Sequence, residues 1–353
     1  MRELADDQPA ARALWQRHLD EGVPYEVNHR SVPQGGPHIW LQAAVKAAGV
    51  TPEIIHLPDD PAQRLPADVI AKIEVAYLTR DIRFSNLYES YGDTVKAATN
   101  LKWANFVSTG IDQHPFLPAL HERKVRLTTS AGSNGEPVGH TAVCGLLMLA
   151  RNFPRWIAAQ REHKWDPARG DAVPRDLRGQ TVIVVGLGTI GATVAKMCQA
   201  LEMKVIGLRR SPKRDGDPVD EMHTLDKLPA LLPKCDWLVL ACPYTKETHQ
   251  LVNAKTLALM PKHSYLVNVA RGGCADEKAL ITALQTKQIA GAYLDVFEKE
   301  PLPADSPLWD IPNVIVSPHN ASASSGNDIR AAKIFTENIK LYAAGQRMEN
   351  EQS

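Results

Sequence analysis

Short apolar runs alternate with amphipathic stretches along most of the chain, and one such pair is especially regular. Residues 181–185 are rich in β-branched types, which predicts a buried strand. Beyond them, Ile190, Val194, Cys198 and Leu201 recur at intervals of three and four, which is typical of the apolar face of a helix. The pattern therefore predicts a strand, a short turn and a helix between residues 181 and 201.

The turn between this strand and this helix carries Gly186, Gly188 and Gly191 in G-x-G-x-x-G spacing. The first glycine permits a tight turn, the second lets the backbone approach a pyrophosphate, and the third lets the helix pack against the strand. Free N–H groups at the start of the helix, at Thr189 and Ile190, suit the same anion. The glycines alone would also suit an ordinary structural turn, but strand, glycines and helix in this order favour a dinucleotide-binding site.

The same alternation continues on both sides of this unit. Further strands are predicted at 53–57, 75–78, 101–107, 124–128, 204–208, 236–241, 265–269, 289–295 and 314–317. Helices are predicted at 10–19, 39–48, 65–72, 138–152, 156–165, 225–232, 254–259, 276–285 and 326–344. Strands that alternate with helices indicate parallel sheets covered on both faces, and 353 residues suffice for two such α/β domains.

Composition narrows the class of protein. The formal net charge is zero, so no general electrostatic attraction to nucleic acid or to an anionic membrane is expected. The longest nearly apolar run, 141–150, is too short to span a bilayer, and the acidic first residues do not form a secretory signal. Five scattered cysteines indicate reduced, buried thiols in a cytoplasmic protein, and no metal site is predicted.

Three chemically capable residues follow predicted strands of the second domain. Arg271 could hold a carboxylate through its planar fork, and His319 could move a proton near neutral pH. Glu300 lies in the loop after another strand. Taken singly, each suits an ordinary surface charge or a structural histidine. Ligands of such sheets bind outside the carboxyl ends of the strands, so the joint placement favours a site.

Five motifs make the sequence similar to the D-2-hydroxyacid dehydrogenase family over roughly residues 75 to 340. The stretches that carry the resemblance are 185–191, 242–248, 268–273, 294–302 and 317–319. The resemblance implies two doubly wound parallel-sheet domains, with a Rossmann-type nucleotide domain at 136–320. This domain is inserted into a flavodoxin-like substrate domain made of 1–135 and 321–353.

The resemblance also implies the roles of the site residues. Arg271 would hold the carboxylate and carbonyl of a 2-oxo acid, His319 would be the acid/base, and Glu300 would orient the imidazole and favour its charged form. The backbone of the loop Ser108, Thr109 and Gly110 would bind the same carboxylate. Further cofactor-binding residues implied by the motifs are Pro243, Thr248, Ala270 and Asp295. The reaction would be reduction of a small 2-oxo acid to its D-2-hydroxy acid, or the reverse, as in glyoxylate/hydroxypyruvate reductases of the NADP type.

A homodimer is expected from the family, with 153–178 as the arm between the subunits. The apolar Phe153, Trp156 and Trp165 in that segment suit either local packing or a partner surface. Departures from the family pattern occur at 138–141, at 320–322 and in the first fifty residues, and they leave the identity of the substrate open. None of them removes a catalytic group.

Two alternatives stay open from the sequence. A formate dehydrogenase has the same fold but carries glutamine where Glu300 stands here, since no proton is exchanged with its substrate. Some relatives act instead as nicotinamide-sensing scaffolds or corepressors, and a complete set of arginine, glutamate and histidine argues against that function.

The residues after the second strand of the nucleotide domain predict which cofactor is preferred. NAD-binding sites usually place an acid there to bind the ribose 2′-hydroxyl. Here Arg209, Arg210 and Ser211 follow the strand, and no acid occurs until Asp215. These residues could be a solvated basic turn, but their position favours contact with a 2′-phosphate. NADP is therefore the expected cofactor, with NAD possible.

Overall fold

The computed structural model describes Glu53, residues 55–111 and residues 113–352. Its strands are β1 Val75–Leu78, β2 Trp103–Phe106, β3 Arg126–Thr129, β4 Thr181–Val185, β5 Lys204–Leu208, β6 Glu221–His223, β7 Trp237–Leu240, β8 Tyr265–Asn268, β9 Gly291–Leu294 and β10 Val314–Val316. Its α-helices are α1 Ala67–Ile70, α2 Arg80–Arg83, α3 Tyr88–Ala97, α4 Leu117–Glu122, α5 Gly135–Ala150, α6 Phe153–Arg161, α7 Thr189–Ala200, α8 Leu228–Leu231, α9 Ala254–Leu259, α10 Glu277–Gln285 and α11 Asn327–Ala343. The predicted helices at 10–19 and 39–48 lie outside the described residues.

The larger of two units, Gly135–Ala323, is built on one parallel sheet. Its seven strands lie in the order β10-β9-β8-β7-β4-β5-β6, so the order of successive strands reverses beside β4. Most strand residues are buried, and separate apolar clusters cover the two faces of the sheet. This is a doubly wound α/β arrangement, and it confirms the fold class expected from the alternation of strands and helices.

The smaller unit contains the described residues before Gly135 and those from Ser324 onward. Its sheet is also parallel, with three described strands in the order β1-β2-β3. The aromatic ring of Phe335 on α11 stacks on Tyr77 of β1 and on Trp103 of β2, at 4.5 and 5.2 Å between ring centroids. The last long helix therefore packs on the sheet of the smaller unit.

Several predicted elements differ from the structure. No strand occurs at Glu53 or at 55–57, where Pro58 and Pro61 follow at once and no neighbouring strand is paired. The helix predicted at 225–232 is divided into two 3₁₀ turns and the four-residue α8, because Pro229 and Pro233 lack the N–H group that a longer helix needs. The sequence analysis also missed α2, α3, α4 and β6. The composition of α3 and β6 is largely polar, and α2 and α4 are only four and six residues long.

The cysteines largely match the expectation. Cys198, Cys235, Cys242 and Cys274 are buried free thiols, whereas Cys144 is exposed, so for Cys144 the prediction was wrong. Cys144 lies on α5, whose other face meets the sheet, and this residue falls on the outward side. Within the described part of the chain, no helix is both long and apolar enough to cross a membrane.

Candidate active site

The glycine-rich turn after β4 has one face that the protein fills and one that it leaves open. Gly186 has φ +91°, and a Cβ there would lie 2.7 Å from the carbonyl oxygen of Ala241. A Cβ on Gly191 would lie only 1.9 Å from the oxygen of Gly186. A Cβ on Gly188, in contrast, would meet nothing within 4 Å. Packing therefore leaves no room for a side chain at Gly186 or Gly191, whereas the open space at Gly188 fits a bound pyrophosphate.

The start of α7 adds hydrogen-bond donors to this open face. Thr189 is exposed, Ile190 is half-buried, and the N-cap residue Gly188 offers no side chain to the first N–H groups of the helix. Uncapped N–H groups and the positive end of the helix dipole favour an anion at this position. The turn and the helix together therefore fit a dinucleotide, as the sequence predicted.

The two arginines after β5 have different surroundings. The guanidinium of Arg209 forms two bonds with the carboxylate of Asp217, at 3.1 and 2.7 Å, and its side chain is only 15% exposed. This pairing and the backbone N–H of Arg214 hold the pKa of Asp217 below its ordinary value. Arg210 is 77% exposed and bonds Glu247 at 2.8 Å. Binding of a 2′-phosphate by Arg209, Arg210 or Ser211 stays a prediction, and Arg210 is the more accessible of the two arginines.

His319 and Glu300 form the closest polar pair of the site. The imidazole Nδ1 lies 2.6 Å from Oε2 of Glu300, and Glu300 Oε1 accepts the backbone N–H of Phe297 at 3.0 Å. His319 has φ +50°, and its N–H donates to the carbonyl of Asp295 at 2.8 Å. About half of the imidazole is exposed, at 47%. Because Nδ1 is held by the carboxylate, Nε2 is the nitrogen that can exchange a proton with a ligand.

Arg271 follows β8 on a loop that packs tightly against the loop of Glu300. A Cβ on Gly272 would lie 1.9 Å from the carbonyl carbon of Phe297, so no side chain fits between the two loops. The Asn268 amide donates to the carbonyl of Arg271 at 3.2 Å and supports the turn. Arg271 itself is exposed and forms no ion pair with a described carboxylate. Its guanidinium donates to the carbonyl of Ala270 at 2.7 Å, and its charge is left for an anionic ligand.

Asp295 holds the segment that carries His319. Its carboxylate is 2% exposed and accepts bonds from Ser317 Oγ at 2.5 Å, from Asn320 N at 2.9 Å and from Ala321 N at 3.1 Å. The hydroxyl of Tyr293 lies 2.7 Å from Ser317 Oγ and extends this chain of hydrogen bonds. The sequence placed Asp295 among the cofactor ligands, and that role stays a prediction. The positioning role was missed, because only the tertiary structure shows these partners.

The remaining predicted cofactor residues lie at the ends of β7 and β8. The Thr248 hydroxyl donates to the carbonyl of Pro243 at 2.8 Å and accepts the N–H of Thr245 at 2.7 Å, so it closes the turn after β7. Ala270 is buried directly before Arg271. The structure therefore gives Thr248 a structural task, and its contact with a cofactor stays a prediction.

The predicted carboxylate-binding loop lies in the smaller unit, after β2. The Ser108 hydroxyl donates to the carbonyl of Gly110 at 2.8 Å, and the Ser108 carbonyl accepts the N–H of Ser130 at 3.3 Å. Thr109, between them, belongs to the same bend. The loop is thus ordered by its own polar groups and leaves its remaining N–H groups for a ligand. In the larger unit, Glu300 and His319 form a direct pair, and the loop of Arg271 packs against the loop of Glu300.

Comparison with known proteins agrees with this geometry. A family model described as D-isomer specific 2-hydroxyacid dehydrogenase, NAD binding domain, matches residues 143–321. A glyoxylate reductase from Thermofilum pendens is 34% identical over 256 residues, which cover 72% of this chain and 75% of that protein. A D-3-phosphoglycerate dehydrogenase from Methanocaldococcus jannaschii is 32% identical over 258 residues, which cover 73% of this chain and 48% of that protein. This chain thus spans about half the length of that relative.

A solved structure of a D-isomer specific 2-hydroxyacid dehydrogenase is also similar to this chain. It is a D-isomer specific 2-hydroxyacid dehydrogenase from Xanthobacter autotrophicus Py2 in complex with NADPH and MES. It is 31% identical, with a TM-score of 0.70, and the match covers 89% of this chain and 93% of that chain.

Proposed function

This chain belongs to the D-isomer specific 2-hydroxyacid dehydrogenase family, and we propose that it reduces a small 2-oxo acid to the D-2-hydroxy acid with NADPH. The observation that carries the proposal is the 2.6 Å pair of His319 and Glu300 beside the exposed Arg271. A proton donor and a carboxylate-binding cation are what this reaction requires from the protein.

Each residue has a distinct part in the reaction. A reduced nicotinamide held by the larger unit would supply the hydride for the ketone carbon. Arg271 binds the substrate carboxylate and stabilises negative charge on the carbonyl oxygen. His319 donates a proton from Nε2 to that oxygen, and Glu300 holds Nδ1–H and stabilises the imidazolium. Carbon thus gains the hydride and oxygen gains the proton, which completes the alcohol.

The division of the chain follows from these roles. We assign nucleotide binding to the larger unit, Gly135–Ala323, which contains the glycine turn and the three catalytic residues. The smaller unit would supply the loop of Ser108, Thr109 and Gly110 for the substrate carboxylate. Four buried free thiols support a cytoplasmic location, because disulfides are rare there.

The reaction is tested by following NADPH absorbance with a panel of 2-oxo acids. Glyoxylate and hydroxypyruvate are the first members of the panel, since the Thermofilum relative is a glyoxylate reductase. We expect turnover of at least one of them and formation of the D-hydroxy acid. Absence of turnover across the panel with both NADPH and NADH would contradict the proposed function.

Preference for NADPH is a separate part of the proposal. Arg210 is exposed, whereas Arg209 is paired with Asp217. We therefore expect Arg210→Ala to reduce the ratio of kcat/KM with NADPH to kcat/KM with NADH by about tenfold, the effect of losing one charge-assisted contact. Glu247→Gln is the matched control: it removes the partner of Arg210 in the free protein but keeps the arginine, so the preference for NADPH should be retained. A wild-type preference for NADH, or an unchanged ratio in Arg210→Ala, would contradict this assignment.

We also propose a homodimer that uses 153–178 as the contact between subunits. Trp165 is 96% exposed, and Phe153 and Val173 in the same segment are exposed as well, so the segment offers apolar side chains that a partner subunit could bury. Sedimentation of the wild type should show a dimer, and Trp165→Glu should lower the dimer fraction. A monomeric wild type at all concentrations would contradict the proposal.

A further inference from the structure

The loop that carries Glu300 is anchored at one end by an apolar side chain and extends from there into solvent. Phe297 is buried in the apolar cluster on one face of the larger sheet, and its N–H donates to Glu300 Oε1 at 3.0 Å. Glu298, Lys299 and Glu300 are all exposed. The position of Glu300, and with it the 2.6 Å contact to His319, therefore depends on what holds this exposed stretch in place.

Glu298 is joined to the first residue of α10 by two hydrogen bonds. The Glu298 N–H donates to Oε2 of Glu277 at 3.1 Å, and the Glu277 N–H donates to Oε1 of Glu298 at 3.2 Å. The N–H groups in the first turn of a helix have no acceptor within the helix, and the positive end of its dipole favours a carboxylate there. The carboxylate of Glu298 thus serves the start of α10, and the carboxylate of Glu277 holds the backbone of the exposed loop.

Close packing at Gly272 joins the same two loops at a second point. A Cβ on Gly272 would lie 1.9 Å from the carbonyl carbon of Phe297 and 2.4 Å from the nitrogen of Glu298. Gly272 directly follows Arg271, and the same loop leads into α10 at Glu277. Two contacts, one steric and one polar, therefore fix the alignment of the Arg271 loop with the loop of Glu298.

The pairing of two glutamates is electrostatically unfavourable. Burial raises the pKa of the Glu277 carboxyl and the negative charge of Glu298 adds to this effect, whereas the hydrogen bond from the Glu298 N–H opposes it. An ionised acceptor forms stronger hydrogen bonds than a neutral one, which favours a carboxylate here in spite of the repulsion. Helix α10 already has its N-cap in Asp276, whose Oδ1 accepts the Ala279 N–H at 3.0 Å. The position of the loop therefore explains the pairing better than the stability of the helix does.

We propose that Glu277 is a positioning residue for His319, which acts on the imidazole through Glu298 and Glu300. The hydrogen bond from the Glu298 N–H holds the loop so that Glu300 Oε2 stays 2.6 Å from Nδ1 of His319. This inference rests on the proposed function, in which Glu300 stabilises the imidazolium that donates the proton. Loss of the Glu277 acceptor lets the loop move away from His319, and the charged imidazole then loses part of its stabilisation.

Two substitutions of Glu277 separate its hydrogen bond from its charge. E277A removes both, whereas E277Q removes the charge and keeps a carbonyl oxygen that accepts the Glu298 N–H. In the reduction, kcat falls as the pH rises and His319 loses its proton. We expect E277A to lower kcat by about tenfold and to move the midpoint of this fall to lower pH by roughly half a unit to one unit. E277Q should keep a midpoint close to that of the wild type.

D276A is the matched control for a purely structural effect on α10. It removes the N-cap hydrogen bond of the same helix, and none of the described side-chain hydrogen bonds of Asp276 reaches the loop of Glu298. D276A should lower the Tm by about 2–4 °C and leave the pH midpoint unchanged. Equal shifts in E277A and E277Q would reveal an effect of charge alone, and equal shifts in E277A and D276A would reveal an effect of helix stability alone. Either result, or a wild-type midpoint in E277A, would overturn the proposal.

Hydrogen exchange followed by mass spectrometry tests the positioning step without turnover. The amides of Phe297 and Glu298 lie in a peptide that covers 294–302. Their exchange should be about tenfold faster in E277A than in E277Q, whereas D276A should match the wild type in this peptide. Equal exchange in E277A and E277Q would overturn the proposal whether or not the chain reduces a 2-oxo acid.

An NMR titration separates the positioning role from the proposed function. If no 2-oxo acid is reduced, the proposed function fails, and the imidazole signal of His319 is then titrated directly, assigned by its loss in His319→Ala. A lower titration midpoint in E277A than in E277Q would still support the positioning role. Equal midpoints in the two variants would overturn it.

Discussion

Replacement of Asp295 by asparagine should destabilise the segment that carries His319 by a predictable amount. Ser317 Oγ, Asn320 N and Ala321 N all donate to Oδ1, whereas Oδ2 accepts only from Ala321 N. An asparagine with its carbonyl oxygen at the Oδ1 position still accepts from the three donors, but it loses the charge and replaces the Oδ2 acceptor near Ala321 N with an NH2 group. Since a hydrogen bond to a charged group contributes ~1.5–3 kcal/mol and a neutral one ~0.5–1.5 kcal/mol, the loss is about 1 kcal/mol per donor and about 3 kcal/mol in all.

Alanine at the same position should cost considerably more. It leaves the three donors without an acceptor at a site that is 2% exposed. At ~2 kcal/mol for each unsatisfied donor, Asp295→Ala should lower the free energy of unfolding by roughly 6 kcal/mol. The two variants therefore separate the contribution of the charge from that of the acceptor.

Urea denaturation followed by tryptophan fluorescence measures both effects, because Trp237 is buried in the same unit. With an m value of ~3 kcal/mol/M for a chain of this size, the midpoint should fall by about 1 M for Asp295→Asn and about 2 M for Asp295→Ala. Asp310→Asn, at an exposed aspartate of the same unit, is the control and should not move the midpoint. Equal midpoints for the asparagine and alanine variants, or a wild-type midpoint for both, would refute the reasoning.

Two further predictions concern other parts of the chain. Gly188→Ala should retain wild-type stability, since a Cβ there meets nothing within 4 Å, but it should weaken NADPH binding by about tenfold because it fills the space for the pyrophosphate. Gly191→Ala should fail to fold, because its Cβ would lie 1.9 Å from the oxygen of Gly186. An NADPH titration and thermal denaturation distinguish these outcomes, and equal stability of the two variants would contradict the packing argument. The Arg126 guanidinium holds the pKa of Glu351 below its ordinary value of 4.5. The pair therefore stabilises the fold fully above pH 4.5, and this stabilisation is lost as the pH falls through the lower pKa of the folded state. The Tm difference between wild type and Arg126→Gln should therefore shrink on acidification, and a constant difference down to low pH would disprove the linkage.

Local patterns in the sequence predicted much of the larger unit. The strand, glycine turn and helix at Thr181–Ala200 depend on residues that lie next to one another, so propensity and spacing describe them well. The same holds for the strand-end position of Arg271, which follows directly from the position of β8.

Contacts between distant residues account for what the sequence did not reveal. Asp217 neutralises Arg209 from eight positions away, and Tyr293 reaches Ser317 across neighbouring strands. Neither pair leaves a periodic signal in the chain. Short polar elements such as β6 form because a neighbouring strand pairs with them, not because of their own composition.

Turnover of His319→Ala is the measurement that tests the central claim most directly. His319 is the proposed proton donor, held by Glu300 at 2.6 Å, and it forms no hydrogen bond with the glycine turn that we propose binds the cofactor. With the 2-oxo acid that the wild type reduces best, kcat should fall by about a hundredfold or more. The affinity for NADPH, measured in parallel by fluorescence titration, should stay close to that of the wild type. A variant that keeps wild-type kcat, or that loses activity only because NADPH no longer binds, would contradict the account.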